Sequence, residues 1–258
     1  MEKIQSKDGT TIAFDQLGAG APVVVVSGAS CDRAIDTPLA TALAEHFTVL
    51  NYDRRGRGDS TDTLPFAMER EIEDIDALLA AAGGSATLVG LSSGAALAAE
   101  AALAGLAVDA LVMWEPPFRV DAEGLQQAKE YTDDLTALLA EGRRGDAVAR
   151  FMRVVGLPEE MISGMRQSPY WATGESLAPT LAYDNAAMGD SSVPTARYRG
   201  ITTPTLVLAG SASPAWLREA AVRTANAIPG ARHDSLEGQT HDVAPDALTE
   251  AVVGFVGR

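Results

Sequence analysis

The sequence predicts an α/β fold: a mostly parallel, doubly wound sheet interrupted once by a helical insertion. Three observations carry this. Short β-rich runs alternate with helical patterns through the first 115 residues. The runs "VVVV" and "TLVGL" are continuously apolar, as strands buried on both faces are. From about Phe118 to Arg199 strand signals stop, and they resume at "TPTLVLAGSAS".

In chain order, "TTIAFDQ" and "PVVVVSG" are strands, the second rich in β-branched valine. A helix is expected from about Pro38 to His46, then the strand "FTVLNYD", then a helix across "FAMEREIEDIDALLAAAG". The strand "ATLVGL", a helix from about Gly94 and the strand "DALVMWE" follow, before Pro116 and Pro117 break the alternation. Within the insertion, "EGLQQAKEYTDDLTALLAEG", "DAVARFMRVVG" and "PEEMISGMRQ" have helical spacing. The sheet resumes with "TPTLVLAGSAS", a helix from about Pro214 to Ala227, the short strand "HDSLEG" and a last helix after Pro245. Residues 1–117 and 200–258 thus form one core and 118–199 a helical cap. The cap holds about half of the aromatic residues together with Met152, Met161, Met165 and Met188, so it is expected to cover something apolar.

Composition bounds the function. The 258 residues suffice for one sizeable domain, and hydrophobic residues at 47% with charged residues at 21% suit a globular protein. Twenty basic against 35 acidic residues give a net charge of −15, which repels phosphate backbones and anionic headgroups and argues against nucleic acid as a partner. Cys31 is the single cysteine, so neither an internal disulfide nor a thiolate cluster can form, and a reducing compartment fits. No apolar run reaches the ~18 residues of a membrane span, and a cytoplasmic location is expected. No spacing resembles a metal site or a phosphate loop, and no cofactor is expected.

The chemistry begins at Gly90-Leu91-Ser92-Ser93-Gly94, a G-x-S-x-G pattern with a buried strand before it and a helix after it. Paired glycines allow a tight turn that lifts the middle side chain above the sheet edge. Serine needs a base, and three histidines are available. His46 ends an exposed helix and His233 begins a polar strand, whereas His241, in "LEGQTHDVAP", follows the last strand at the end where ligands gather on open α/β sheets.

"DRRGRGDS" after one strand, "GLSSG" after the next and "GQTHD" near the C-terminus together resemble the α/β-hydrolase superfamily with an inserted cap. The style is that of the esterase, non-haem haloperoxidase and C-C hydrolase branches. The resemblance implies Ser92 as nucleophile and His241 as base, and disfavours the branches with an aspartate nucleophile. It places one oxyanion-hole N–H at Ser93 and the other at Ala29 or Ser30, after a strand whose end reads Ser27-Gly28 where the family usually has His-Gly. The family commonly sets its acid in Gly-x-x-Asp after the strand following the cap, and here Ser213 stands at that place. Glu115, at the end of "ALVMWEPPF", can orient His241 instead, or can start the cap and pair with an arginine such as Arg119. Asp242 is a weaker alternative, since a residue adjacent to His241 is poorly placed to reach its ring, and Asp234 and Glu237 are expected to face solvent.

Gly28, Trp114, Phe118, Tyr170 and Trp171 are expected to meet the substrate. In "DRRGRGDS" the glycines allow a compact turn, where Asp53 with Arg54 or Arg55 makes structural hydrogen bonds, and Cys31 is a packing residue. The leading function is a cofactor-independent serine hydrolase for a small to medium, largely apolar ester, thioester or lactone. A cyclase, lyase or C-C hydrolase on the same pocket, or a small-molecule receptor, are the alternatives.

Overall fold

The computed structural model describes residues 1–257. Its elements, in order, are β1 (Glu2–Gln5), β2 (Thr11–Gly18), β3 (Pro22–Val26), α1 (Thr37–Leu43), β4 (Thr48–Tyr52), α2 (Met68–Ala81), β5 (Ala86–Leu91), α3 (Ser93–Leu103) and β6 (Val108–Trp114). The insertion contributes α4 (Ala122–Ala140), α5 (Arg144–Val154), α6 (Glu159–Arg166), α7 (Trp171–Leu177), α8 (Leu181–Met188) and α9 (Thr195–Tyr198). β7 (Thr205–Gly210), α10 (Ala215–Ala227), β8 (Arg232–Leu236) and α11 (Pro245–Val256) complete the chain.

The eight strands form one sheet in the order β1-β2-β4-β3-β5-β6-β7-β8, antiparallel at β1/β2 and β2/β4 and parallel elsewhere. Both faces are covered. Val23 and Val25 pack with Leu39, Leu43, Leu248 and Val252 from α1 and α11. Val24 and Val26, one residue out of step, pack with Ile75, Leu97 and Ala221 from α2, α3 and α10. This explains why the valine run is unbroken.

From β3 the chain winds outward to β4 and then returns to place β5 on β3's other side. The loops after β3 and β5 therefore diverge, opening the crevice that parallel sheets leave at a switch point. Ser92 and Gly28 both sit there.

The helices between β6 and β7 have their own small core around Tyr131, Leu135, Val148 and Leu181. The end of that segment joins the main core instead, through Ala187 and Tyr198. Two kinds of element left no readable signal. β1, "EKIQ", is a polar edge strand, and α7 to α9 are short and without a clear apolar stripe. No helix among the described residues is long and apolar enough to cross a membrane.

Candidate active site

Ser92 has φ 54° and ψ −125°, a conformation that costs a non-glycine residue roughly 1–3 kcal/mol. Its neighbours enforce it. The Ser92 N–H donates to Trp114 O at 2.9 Å, and Ser92 O accepts from Ala95 N at 3.0 Å. A Cβ on Gly94 would lie 2.1 Å from Val26 O, and one on Gly90 2.5 Å from Ala95 Cα. The glycines are thus required by the close approach of α3 to the sheet.

Just past the end of the adjacent strand β6, Glu115 is fully buried and has φ 43° immediately before Pro116, where an extended backbone is the norm. Its N–H donates to Leu208 O at 3.0 Å. The carboxylate Oε1 accepts the Gly210 N–H at 2.8 Å, and Oε2 lies 2.7 Å from His241 Nδ1. Burial pushes this carboxyl's pKa up, but the hydrogen bonds from His241 and Gly210 outweigh it and hold the pKa below the ordinary value. Trp114 Nε1 donates to His241 O at 3.0 Å, fixing the backbone that carries the imidazole. Ser213, where the family commonly has its acid, is buried, and its hydroxyl has no hydrogen-bond partner among the described residues. Glu115 therefore reaches the histidine from β6, and Arg119 is not its partner.

The loop after β3 approaches the strand-to-helix turn that carries Ser92, the elbow, closely. A Cβ at Gly28 would stand 3.1 Å from Ser92 Cβ, and Ser30 has φ 59°. The N–H groups of Ala29, Ser30 and Ser93 have no acceptor among the described residues. Ala29 and Ser93 border the cavity described below, while Ser30 does not. Arg57 braces the loop by donating to Gly28 O at 2.6 Å and Cys31 O at 3.2 Å, and its other terminal nitrogen meets Asp184 Oδ2 at 2.8 Å. Asp184, from α8, also accepts from Arg54 at 2.6 Å and from the Ser93 hydroxyl at 2.9 Å. Cys31 lies in this neighbourhood with its thiol pushed up to about 12 by burial and by Asp36, which keeps it an unreactive thiol at neutral pH.

In the arginine-rich turn Asp53, Arg54 and Arg55 all make structural bonds, each to a different partner. Asp53 pairs with Arg33 and caps the turn by accepting from Asp59 N at 2.8 Å. Arg54 instead grips Glu71 with two bonds of 2.8 Å, and Arg55 grips Asp74 and Asp8. Asp53 is directed toward the loop after β3, so neither arginine next to it in sequence can reach it.

A cavity of about 650 Å³ lies over the elbow, bordered by Ser92, Ser93, Gly28, Ala29, Trp114 and His241. Its apolar wall comes from Leu39, Leu91, Tyr131, Phe151, Met188 and Trp216. Phe118, Tyr170 and Trp171 do not border it. Phe118 is buried edge-on against Tyr198, Tyr170 is 80% exposed, and Trp171 packs in the cap core beneath Arg166. His46 and His233 are exposed and away from the cavity. Tyr131, Phe151 and Trp216 belong to segments whose spacing predicts helices, but which side of each helix faces inward depends on packing.

Residues 23–253 match the model of the Alpha/beta hydrolase family. The chain belongs to that family. This alpha/beta hydrolase is 51% identical to an alpha/beta hydrolase of solved structure from Sphaerobacter thermophilus, with a TM-score of 0.89 over 98% of this chain and 99% of that one. A hydrolase of solved structure from Pseudomonas aeruginosa is 25% identical, with a TM-score of 0.78 over 100% and 98% of the two chains. Among curated relatives, the 2-(acetamidomethylene)succinate hydrolase of Mesorhizobium japonicum is 24% identical over 95% of this alpha/beta hydrolase and 91% of its own length.

Proposed function

We propose that this alpha/beta hydrolase is a serine hydrolase that cleaves a small to medium ester, thioester or lactone through an acyl-enzyme on Ser92. The observation that carries the reading is the 2.7 Å contact between His241 Nδ1 and the buried Glu115 carboxylate. On this reading the proton sits on Nδ1, donated to Glu115, which leaves Nε2 as the acceptor for the Ser92 proton.

In the first half-reaction Ser92 Oγ attacks the carbonyl carbon while His241 takes its proton, and the carbonyl oxygen becomes an oxyanion facing the N–H groups of Ser93 and Ala29. The imidazolium then protonates the leaving alcohol or thiol. In the second, His241 deprotonates a water that attacks the acyl carbon, and Ser92 leaves with the proton. Glu115 stays ionised throughout, holding the ring and stabilising its positive form. No cofactor enters the cycle. The Mesorhizobium relative is likewise a hydrolase.

The test is a fluorophosphonate probe followed by peptide mass spectrometry. An adduct on Ser92 that disappears in His241→Ala is the expected result. Absence of any adduct from the folded protein would return the site to non-hydrolytic chemistry or to ligand binding.

A further inference from the structure

Arg119 stands apart among the described cations. Most arginines meet a carboxylate, and of those that do not among the described residues, Arg144, Arg199, Arg218 and Arg232 are exposed. Arg119 is half-buried. Its guanidinium carbon sits 4.3 Å from the centre of the Trp216 ring, and both residues border the cavity that holds Ser92 and His241. The backbone is held at the same place, since the Arg119 N–H donates to Ser191 O at 2.7 Å.

An acidic chain has no shortage of carboxylates, with 35 against 20 basic groups, yet among the described residues none is within ion-pair distance of this guanidinium. Asp36 and Asp242 border the same cavity and do not pair with it; Asp184 there is already neutralised by Arg54 and Arg57. Burial lowers the Arg119 pKa, with Asp121 opposing this only in part. A half-buried cation without a counter-ion loses part of its hydration uncompensated, and stacking on an indole occupies one face while leaving the in-plane N–H donors without a protein acceptor among the described residues. Those donors form a fork whose geometry matches a carboxylate.

We infer that Arg119 is a specificity residue of the active-site cavity, and that the substrate is an ester, thioester or lactone carrying one free carboxylate remote from the scissile carbonyl. The hydrolytic part rests on the proposed function; the carboxylate subsite does not. The sequence implied a largely apolar substrate, and the apolar wall then accommodates the segment between the two ends. Asp36 and Asp242 would repel a second negative charge, so a monoanion is expected.

Binding can be measured without turnover in the Ser92→Ala protein. Monoethyl succinate, glutarate and adipate are titrated beside their diethyl counterparts by ligand-observed NMR. At least one monoester is expected to bind 10-fold or more tighter than its diester. Adding Arg119→Met should bring that ratio close to one, while Arg119→Lys should retain part of it. Equal binding of every pair in the parent, or a ratio that survives in Arg119→Met, would overturn the inference. If Arg119→Met fails to give the parent's circular dichroism spectrum, the Arg119→Lys ratio decides: an undiminished ratio rejects the bidentate subsite. Failure of the fluorophosphonate reaction removes the hydrolase reading and leaves this binding result standing, so the two are separable.

Discussion

The carboxylate of Asp184, on a cap helix, accepts the hydroxyl proton of Ser93, the residue next to the elbow serine, at 2.9 Å. The same carboxylate meets Arg57, which holds the opposing loop through Gly28 O and Cys31 O. One buried group in the insertion thus braces both sides of the proposed oxyanion hole. Deleting one member of a buried ionic network leaves the others uncompensated. Asp184→Ala is therefore expected to lose about 3–5 kcal/mol in urea unfolding, and to lower acylation of Ser92 by the probe even where the protein remains folded. Unaltered stability would mean that Arg54 and Arg57 are adequately held by Glu71 and the loop carbonyls.

Glu115→Gln should lower ester turnover by up to about 10⁴-fold with little change in KM, because an amide no longer stabilises the imidazolium or selects its tautomer. Steady-state kinetics on a p-nitrophenyl ester measure this directly. A rate within a factor of three of wild type would assign the orienting role elsewhere.

The same carboxyl makes a pH prediction. Its folded pKa lies below the ordinary 4.5, so the fold favours the ionised form and the stabilisation is complete above that value. It is lost as the pH falls from about 4.5 through the lower folded pKa. The stability gap between wild type and Glu115→Gln should accordingly be constant at neutral pH and narrow in acid, as followed by chemical denaturation from pH 7 to pH 3.

Asp36 has the opposite sign. Burial pushes its carboxyl up to about 6 from 3.8, so the fold favours the protonated form and stability falls as the pH rises through that interval. Asp36→Asn is expected to stabilise the protein at pH 8 by on the order of 2–3 kcal/mol and to give no gain near pH 3.5. A destabilised variant at pH 8 would show that the ionised carboxylate has a native partner.

Glycines separate into required and dispensable ones. Gly90→Ala forces a Cβ to 2.5 Å from Ala95 Cα and should sharply reduce soluble protein, since neither backbone can retreat without moving α3. Gly254, inside α11 and with nothing within 4 Å of its missing Cβ, should gain up to about 1 kcal/mol on replacement by Ala. Thermal unfolding of the two variants tests the contrast.

What the sequence determined by itself was local and periodic. Unbroken valines in β3 and the apolar run of β5 require strands covered on both faces, and Gly90, Ser92 and Gly94 require a tight strand-to-helix turn, because backbone sterics act over a few residues. The position of His241 after the last strand follows from the same alternation. Only the tertiary structure decided which carboxylate meets that histidine, since Glu115 and His241 are far apart in sequence and come together through the neighbouring positions of β6, β7 and β8 in the sheet. It also decided that Arg57 and Arg54 share Asp184, and that Phe118 and Tyr170 lie away from the cavity while Tyr131 and Trp216 line it. Those outcomes depend on the rotation of each helix and on the balance of buried charge, and neither quantity resides in any short stretch of the chain.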